Sequence, residues 1–365
     1  MRVIFAGGGT GGHLYPAIAM AQEVLRRDPA SRVLFVGTPE GIESRILSKE
    51  GLELKTIRVK GLKGKKMMEQ IRALLGLPRA LKDSLSILRS FQPEVVVGVG
   101  GYASGPLVLA SFFMGRRAAL QEQNSIPGIT NRILGKLVDR IYTAYVESHS
   151  YFPEKKILQT GNPIREGFGR VGREEALRHF SLDPDRKTVF VLGGSLGAHA
   201  INRIVSDMVR TADWKGLRVQ FLHQTGEADY QEVLKDYGAS GVRASVHSYV
   251  HEIVQAYAAA DLAVSRAGAV ALSELCVSGV PSVLIPFPYA ADDHQLHNAR
   301  VMADAGAAEV LVQEDVTAGK LGERIQVLLA DPVRLEKMSK AALGHARPQA
   351  ARAVVDDLER LARSN

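Results

Sequence analysis

The chain has 365 residues, of which 46% are hydrophobic and 23% charged, a composition typical of a soluble globular protein. This length exceeds what one hydrophobic core usually supports, so we expect two domains. The longest apolar runs are well short of the roughly 20 residues that span a bilayer, so we expect no transmembrane helix. We also expect no signal peptide before the first strand-like segment. The single cysteine, Cys276, excludes a disulfide framework, and we expect it to be a buried helix residue.

Charge is distributed unevenly along the chain. Residues 1–161 contain 23 Lys and Arg against 13 Asp and Glu, whereas the remainder contains 23 against 26. A basic half of this kind can face nucleic acid, an anionic membrane or an anionic substrate. No zinc-finger, RRM-type or Lys/Arg-rich tail pattern is present, so we predict no nucleic-acid partner.

The first predicted element is a strand that ends in a glycine-dense turn, VIFAGGGTGGH at 3–13, and a helical pattern follows it. Strand, glycine turn and helix form a cradle for a phosphate, because the backbone can approach the anion and the helix N-terminus presents unpaired N–H groups. The same design returns at 189–199, VFVLGGSLGAH, about 186 positions later. We therefore predict two similar halves that face each other across a cleft.

Strand and helix patterns alternate along both halves. Further strands are predicted at 32–37 and 54–59, and a third glycine turn, Gly100 to Gly105, follows the strand that begins at 95. The stretch 60–88 interleaves lysines with apolar residues and contains Pro78, which we expect to break it; it is either one or two solvated helices or a membrane-surface patch. Alternation of this type predicts parallel strands and doubly wound α/β sheets.

The second half begins after Gly161-Asn162-Pro163, a plausible hinge, and we expect irregular chain from Arg165 to Lys187. Six more strands follow, and the segment 348–362 is predicted to be a helix that crosses back to the first domain. The predicted domains are 1–162, completed by the C-terminal helix 346–365, and 163–345.

Two familiar nucleotide motifs are not matched by the first glycine turn. Gly7-x-Gly9-x-x-Gly12 has the dinucleotide spacing, but the second strand ends in Gly37-Thr38 without the acid that holds a ribose. His13 and Leu14 stand where a Walker A motif has Lys and Ser or Thr. His13 begins a helix, whose positive dipole end disfavours protonation, so it is either a general base or a capping residue.

Other polar segments are suited to a sugar nucleotide. Glu274, at the end of RAGAVALSE, is placed to accept hydrogen bonds from vicinal hydroxyls such as those of ribose, and 286–298 is rich in amides and histidines. Asp292-Asp293 are adjacent rather than spaced as D-x-D, and His294 and His297 lack an obvious cysteine or glutamate partner. Asp183-x-Asp185 has the D-x-D spacing but sits in an ordinary turn before the first strand of the second half, so we predict no metal site.

Seven motifs in order resemble the MurG family of UDP-N-acetylglucosamine transferases. They are GGTGGH at 8–13, GGYASGP at 100–106, QEQNSIPG at 121–128, GNPIR at 161–165, GGSLGAHAIN at 193–202, RAGAVALSE at 266–274 and DDHQLHNA at 292–299. The resemblance covers essentially the whole chain. It implies a GT-B fold, with two Rossmann-like domains, and an inverting transfer of GlcNAc from UDP-GlcNAc to the C4 hydroxyl of MurNAc in lipid I, without metal or cofactor.

The resemblance also implies partners and a cellular place. The partners are UDP-GlcNAc, lipid I (undecaprenyl-diphospho-MurNAc-pentapeptide) and an anionic membrane surface that the basic N-terminal domain would contact. The place is peripheral, on the cytoplasmic face of the cell inner membrane, and the process is peptidoglycan synthesis, with its consequences for cell wall, shape and division.

Site residues follow from the same resemblance. It implies that His13 is the base, that Arg165 and Ser195 bind the donor diphosphate and that Glu274 binds ribose. The other implied donor or substrate contacts are Thr10, Gly11, Gly12, Asn124, Val250 through its backbone to uracil, Ala269, Val270, Ala271, Leu272 and Ser273 as a loop around the nucleoside, and Gln295 and Asn298 on GlcNAc. An acceptor diphosphate loop is assigned to Gly101, Tyr102, Ser104 and Gly105.

The chain departs from the family pattern twice, and rival functions remain open. Ala271 stands where the family usually has threonine, and His294 where it usually has glutamine. The rivals are a UDP-GlcNAc epimerase, a glycolipid synthase that uses diacylglycerol, and a non-catalytic nucleotide-sugar or membrane-binding protein. An NAD oxidoreductase is least favoured, because the ribose acid is missing after the second strand.

Overall fold

A computed structural model describes the chain except for residues 40–42, 60–66, 195–196, 215 and 365, and it describes only the backbone of 45 and 67–75. The chain divides into two compact units. Unit 1 comprises Met1–Arg165 and Pro348–Asn365, and unit 2 comprises Glu166–Arg347.

Unit 1 contains a seven-stranded sheet in the order β3-β2-β1-β4-β5-β6-β7, in which every pairing is parallel. Its strands are β1 (Arg2–Gly7), β2 (Arg32–Gly37), β3 (Glu53–Thr56), β4 (Val95–Gly100), β5 (Arg117–Glu122), β6 (Arg140–Thr143) and β7 (Ile157–Gln159). Its helices are α1 (Gly11–Arg27), α2 (Glu43–Lys49), α3 (Met67–Phe91), α4 (Ser104–Phe113), α5 (Ile129–Leu134), two 3-10 turns (Val146–Tyr151, Glu154–Lys156) and the C-terminal α14 (Ala350–Arg363).

Unit 2 contains a six-stranded parallel sheet in the order β10-β9-β8-β11-β12-β13. Its strands are β8 (Lys187–Leu192), β9 (Val219–Gln224), β10 (Ala244–His247), β11 (Leu262–Ser265), β12 (Ser282–Leu284) and β13 (Ala308–Val310). Its helices are α6 (Arg173–His179), α7 (His199–Thr211), α8 (Tyr230–Ser240), α9 (Ile253–Ala259), α10 (Ala269–Ser278), α11 (His294–Asp304), α12 (Ala318–Ala330), α13 (Pro332–Gly344) and a 3-10 turn, Ala291–Asp293.

Both sheets share one topology, in which the first strand of each unit lies between its second and fourth strands. This is the strand order of the Rossmann fold, and the predicted pair of doubly wound parallel-sheet units is confirmed. The order in which successive strands are added to each sheet reverses beside β1 and beside β8. Ligands of such folds bind outside the carboxyl ends of the strands at that reversal, which is where both predicted glycine turns lie.

The central strands are apolar along their length because helices cover both faces of the sheet. In β1, Val3 and Phe5 pack with α1 and α14 on one face, whereas Ile4 and Ala6 pack with α3 and α4 on the other. Fully apolar strands are typical of parallel sheets, because helices cover both sides. The carboxyl ends of the strands are therefore the exposed edge on which polar loops can collect.

The C-terminal helix belongs to unit 1 although unit 2 precedes it in sequence. Its apolar stripe, Val354, Val355, Leu358 and Leu361, joins the core that β1 and α1 form. Arg27 of α1 pairs with Asp356 at 2.7 Å.

Two expectations about the helices are wrong. Pro78 does not break its segment, because α3 runs continuously through it. The proline is exposed, whereas Ala80, Leu88 and Phe91 beyond it are buried, and this packing offsets the one backbone hydrogen bond that proline removes. The stretch after Arg165 is not wholly irregular, since it contains α6. The basic residues at 60–66 lie outside the described residues.

Candidate functional site

Two glycine turns of unit 1 meet at the carboxyl edge of its sheet. The turn after β1 is GGTGGH and the turn after β4 is GGYASG, and the N–H of Gly8 donates to the carbonyl of Gly100 at 3.3 Å. This proximity follows from the topology, because β1 and β4 are neighbours. Sequence positions that are about 90 residues apart thereby form one surface.

His13 lies on this surface, in the first turn of α1. Its Nδ1 is 3.3 Å from the carbonyl oxygen of Gly8 and 3.2 Å from Thr10 Oγ1. A carbonyl oxygen only accepts, so these partners assign the proton to Nδ1 and leave the lone pair of the neutral ring on Nε2. In this tautomer Nε2 is the acceptor nitrogen of His13, and Thr10, predicted as a substrate contact, helps to orient the ring.

Gly100 supplies the space that the imidazole occupies. Its φ is +95°, and a Cβ built there would lie 2.7 Å from His13 Cδ2 and 2.9 Å from Nε2. Such distances are shorter than van der Waals contact. Residue 100 must be glycine for both reasons, its backbone conformation and the histidine against it.

Glu43, which the sequence analysis did not single out, stabilises the glycine turn after β1 through a hydrogen bond. Its Oε1 accepts the N–H of Gly9 at 2.6 Å, and the side chain is 1% exposed. Glu43 opens α2, after a segment at 40–42 that lies outside the described residues. The sequence shows only an acid in the first turn of a predicted helix. Such an acid usually stabilises the positive end of its own helix dipole and does not indicate a contact with a distant turn.

The predicted acceptor loop is divided between exposed and buried residues. Gly101 and Gly105 are half-buried and Tyr102 is exposed, whereas Ser104 is fully buried, with its Oγ packed against Gly98. In this structure Tyr102 and the backbone are open to an acceptor, and the Ser104 hydroxyl is not.

Asn124 follows β5 and is held by a buried carboxylate. Glu122 accepts the Asn124 N–H at 3.0 Å, the Asn124 side-chain amide at 3.3 Å and the Asn131 amide at 2.8 Å. Burial raises the pKa of Glu122, and the hydrogen bonds from Asn124 and Asn131 act in the opposite direction. Glu122 therefore orients the predicted substrate residue Asn124.

A buried amide network connects the same edge to the segment that carries Arg165. Gln123 donates to the carbonyl of Val99 at 2.9 Å, Asn162 donates to the carbonyl of Gln123 at 3.1 Å, and Gln121 donates to Asn162 at 3.0 Å. Sequence analysis treated Asn162 only as part of a hinge. The network ties three loops together by tertiary contacts that no local pattern reveals.

Arg165 stacks on an aromatic ring of α1. Its guanidinium carbon is 4.3 Å from the centroid of Tyr15, which is two residues after His13. Arginine over an aromatic face is a favourable cation–π arrangement. The predicted base and the predicted diphosphate ligand are thus linked within unit 1.

In unit 2 the glycine turn after β8 packs against the end of β9. The N–H of Gly197 donates to the Gly194 carbonyl at 3.0 Å, and a Cβ on Gly197 would lie 2.0 Å from the carbonyl oxygen of Thr225. The φ of Gly197 is +80°, so this position also requires glycine. Ser195, the predicted diphosphate contact, lies outside the described residues.

His199 differs from its sequence counterpart His13. Its Nδ1 is 2.9 Å from Asp229 Oδ1, and Asn202 donates to the other oxygen of Asp229 at 2.7 Å. Burial would raise the pKa of Asp229, but these hydrogen bonds hold it below its usual value. His199 is thus paired with a carboxylate at the start of α7, whereas His13 contacts a backbone carbonyl and a hydroxyl.

The residues assigned to the nucleoside form a helix start rather than a loop. Residues Ala269 to Glu274 lie in α10, which begins after Gly268, so the expected loop is confined to 266–268. Alanine, leucine and glutamate favour helix, which explains the difference. Leu272 is fully buried, whereas Ala271 and Ser273 are half-buried, Ala269 and Val270 are buried, and Glu274 is 4% exposed.

The loop before α11 is held by Gln295 and Arg266. Gln295 Oε1 accepts the N–H of Phe287 at 3.0 Å, and Arg266 donates to the carbonyl of Ile285 at 3.0 Å. Burial lowers the pKa of Arg266 to about 10. Asn298 is fully buried and donates to the Ala267 carbonyl at 3.4 Å, so it braces the turn after β11.

Asp292 and Asp293 both have positive φ, 54° and 52°, immediately before α11. Two consecutive left-handed residues without glycine store backbone strain, and such strain clusters at functional sites. Among the residues that the structure describes, no three His, Cys, Asp or Glu side chains are grouped to hold a metal ion.

Comparison with known proteins decides the family. Residues 3–143 match the N-terminal domain model of glycosyltransferase family 28, and residues 188–354 match its C-terminal domain model. A Myxococcus xanthus protein is 46% identical over 356 residues, covering 98% of this chain and 92% of that protein. It is named UDP-N-acetylglucosamine–N-acetylmuramyl-(pentapeptide) pyrophosphoryl-undecaprenol N-acetylglucosamine transferase.

The chain belongs to the MurG family of glycosyltransferases. The solved structure of Acinetobacter baumannii MurG is 27% identical and aligns with a TM-score of 0.76, covering 98% of this chain and 99% of that one. A Listeria monocytogenes structure described as a UDP-N-acetylglucosamine 2-epimerase aligns with a TM-score of 0.68 at 13% identity and 98% coverage of this chain, which shows a shared fold alone. Sequence identity, rather than shape, therefore separates the MurG family from its epimerase neighbours.

Within the MurG family fold, the two units of this chain present different side chains near the carboxyl ends of their strands. Unit 1 presents an oriented histidine beside glycine turns, and unit 2 presents a helix N-terminus and a buried acid after its fourth strand. The first arrangement suits proton removal, and the second suits a nucleoside diphosphate.

Proposed function

We propose that this chain transfers GlcNAc from UDP-GlcNAc to the C4 hydroxyl of MurNAc in lipid I, giving lipid II with inversion at the anomeric carbon. The observation that carries this proposal is the 46% identity, over 98% of the chain, to a protein named for that transfer. Both glycosyltransferase domain models match in the expected order.

In the proposed reaction the C4 oxygen of the acceptor attacks the anomeric carbon of GlcNAc. A new C–O bond forms on one face while the bond to the β-phosphate oxygen breaks on the other, so the configuration inverts. His13 Nε2 takes the hydroxyl proton, because Nδ1 is bound to the Gly8 carbonyl. A positioned base of this kind contributes roughly 10²–10⁴-fold to a rate.

The leaving group is UDP, whose diphosphate gains negative charge as the bond breaks. We propose that Arg165, Ser195 and the backbone N–H groups at the start of α7 stabilise this charge. Tyr15 holds the Arg165 guanidinium through the 4.3 Å stack, so the cation is oriented before the substrate arrives. Glu274 would accept hydrogen bonds from the ribose, and Gln295 would hold the GlcNAc. Asn298, predicted as a GlcNAc contact, is fully buried and would act by bracing the turn after β11.

In this proposal each domain binds one of the two substrates. The N-terminal domain, 1–162 with the helix 346–365, would bind the acceptor through the turn at Gly101 and Tyr102 and through Asn124. The C-terminal domain, 163–345, would bind UDP-GlcNAc. Thr10, Gly11 and Gly12 are the members of the first turn nearest to His13 in sequence, and we assign them to the reacting groups.

The deciding experiment is incubation with labelled UDP-GlcNAc and a lipid I analogue. We expect label to appear in a lipid-extractable product, and His13→Ala to lower kcat by at least 100-fold while UDP affinity stays within twofold. Turnover near the wild-type rate in that variant would refute the base assignment. The rival functions give other results: label exchange into an epimer without lipid, transfer to diacylglycerol, or UDP-GlcNAc binding without product.

We further propose that unit 1 binds the membrane surface on its α3 and α4 side. Phe112 and Phe113 are 47% and 66% exposed at the end of α4, and α3, which packs on α4, carries exposed Leu77, Arg79 and Lys82. Apolar side chains with cations around them bind anionic bilayer surfaces. In the part of the chain that is described, no helix is long and apolar enough to cross a membrane.

Vesicle sedimentation tests this surface. Replacing both Phe112 and Phe113 with serine should lower partition onto anionic vesicles at least tenfold. The loss of each ring removes about 1 kcal/mol or more of the binding free energy that comes from apolar burial. Val333→Ser is the matched control, because Val333 is 60% exposed in unit 2. Equal losses in both variants would refute the assignment. Binding to vesicles would support a peripheral location. We propose that this location is the cytoplasmic face of the cell membrane, where the protein acts in peptidoglycan synthesis.

A further inference from the structure

Gln224 is the last residue of β9, and its carboxamide joins two segments that the proposed function assigns to the donor. Its Nε2 donates to the carbonyl of Gly194 at 2.9 Å, and its Oε1 accepts the N–H of Val250 at 2.8 Å. The side chain is 3% exposed. A planar amide with a donor at one end and an acceptor at the other can fix the spacing of two backbones.

The sheet explains why this residue is central. β9 lies between β8 and β10, and Gln224 is in register with Leu192 on one side and His247 on the other. Gly194 lies in the turn that follows β8, and Val250 lies three residues beyond the end of β10. One side chain at the middle strand therefore reaches both segments.

Backbone contacts around Gln224 continue the same connection. The N–H of Gly226 donates to the carbonyl of Ser248 at 3.0 Å, and the Gly197 backbone packs directly on the carbonyl of Thr225. Residues 224–226 thus form a support beneath both the glycine turn and the segment that contains Val250. Only the Gln224 side chain bonds to the two at once among these contacts.

We propose that Gln224 is a positioning residue that sets the distance between the diphosphate turn and the uracil segment of the donor site. This rests on the proposed function, in which the first segment binds the diphosphate and Val250 contacts uracil. A uridine diphosphate spans a fixed length from base to phosphate. A site whose two ends are held at that length before binding avoids the cost of ordering them later.

The test is UDP binding by titration calorimetry with Gln224→Met and a matched control, Gln220→Met. Gln220 is a fully buried glutamine on the same strand, and it donates to the carbonyl of Asp183 at 2.8 Å and to Thr188 Oγ1 at 3.1 Å. Both variants remove a buried amide from β9, but only the first removes the connection between donor segments. We expect Gln224→Met to weaken UDP binding at least tenfold and Gln220→Met to change it less than twofold.

A second variant separates the two ends of the amide. Gln224→Glu keeps an acceptor for the Val250 N–H but, as a carboxylate, has no donor for the Gly194 carbonyl. We expect it to retain uridine affinity within threefold and to lose UDP affinity at least tenfold, whereas Gln224→Met loses affinity for both probes. In turnover, Gln224→Met should raise the KM for UDP-GlcNAc more than it lowers kcat.

The outcomes distinguish this inference from the proposed function. UDP binding by Gln224→Met within twofold of wild type, or equal losses in the Gln224 and Gln220 variants, would overturn the positioning role and leave the transferase proposal intact. A wild-type chain that binds no UDP would overturn both. Retained UDP affinity in Gln224→Glu would show that the Gly194 contact contributes nothing.

Discussion

Gly100→Ala should separate the position of His13 from the binding of the donor. The added methyl would lie 2.7 Å from His13 Cδ2 and 2.9 Å from Nε2, whereas nonbonded carbon atoms pack at about 3.5–4.0 Å. The three atoms nearest to the methyl all belong to the imidazole, so the ring must move by about 0.8 Å or more to restore ordinary contact. His13 is expected to leave the orientation that its Gly8 contact defines.

A displacement of this size has a large effect on turnover. Misplacing a reacting group by about 1 Å can cost about 10²-fold in rate, or about 2.7 kcal/mol of activation free energy. We expect kcat for GlcNAc transfer to fall by about 30-fold to 100-fold. UDP affinity, which we assign to the C-terminal domain, 163–345, should stay within twofold by titration calorimetry.

Backbone strain needs a separate control, because alanine at positive φ costs about 1–2 kcal/mol wherever it occurs. Gly115 provides it: its φ is +62° and a Cβ there would meet nothing within 4 Å. Gly115→Ala should lower the urea midpoint as Gly100→Ala does, yet retain kcat. Turnover of Gly100→Ala within threefold of wild type, or an equal loss in Gly115→Ala, would refute the reasoning.

Three further results are expected. Tyr15→Leu should lower kcat/KM for UDP-GlcNAc about fivefold, since a cation–π contact is worth about 1 kcal/mol, and should have no effect once Arg165 is alanine; Tyr15→Phe should behave as wild type. Burial lowers the pKa of His223 to about 3, so the unfolded chain binds a proton more readily than the folded one, and the free energy of unfolding falls as the pH drops below 6.5. In urea unfolding, His223→Gln should recover about 2 kcal/mol of the free energy of unfolding that the wild type loses between pH 7 and pH 5. Burial raises the pKa of the Cys276 thiol to about 12, so iodoacetamide at pH 8 should modify it only after denaturation.

The central strands were predictable because they are apolar runs between polar turns, whereas the strand predicted at 54–59 is observed as the shorter, more polar β3, Glu53–Thr56. The predicted segment 32–37 coincides with β2, and the two glycine-turn repeats fall at the same place in two sheets of the same topology. Cys276 is buried in a helix as expected. These features depend on local sequence, on periodicity and on the composition of buried parallel strands.

Other features depend on tertiary contacts that local patterns do not contain. A proline in a helical pattern predicts a break, but the packing of the residues beyond Pro78 decides otherwise. Glu43 and Gln224 were not predicted, because each acts on a turn that is distant in sequence. Whether a buried polar side chain supports a site depends on which loops the fold brings to it.

The return of the chain to unit 1 at Pro348 has a consequence for synthesis on the ribosome. Unit 2 is one continuous stretch, so all of its residues have been made before the last helix of unit 1 appears. Until then the apolar surface of α1 that Val354, Val355 and Leu358 will cover remains open to solvent and to chaperones. Unit 1 is therefore completed after unit 2 although its sheet is translated before it, and a nascent chain stalled before residue 348 would carry that surface uncovered.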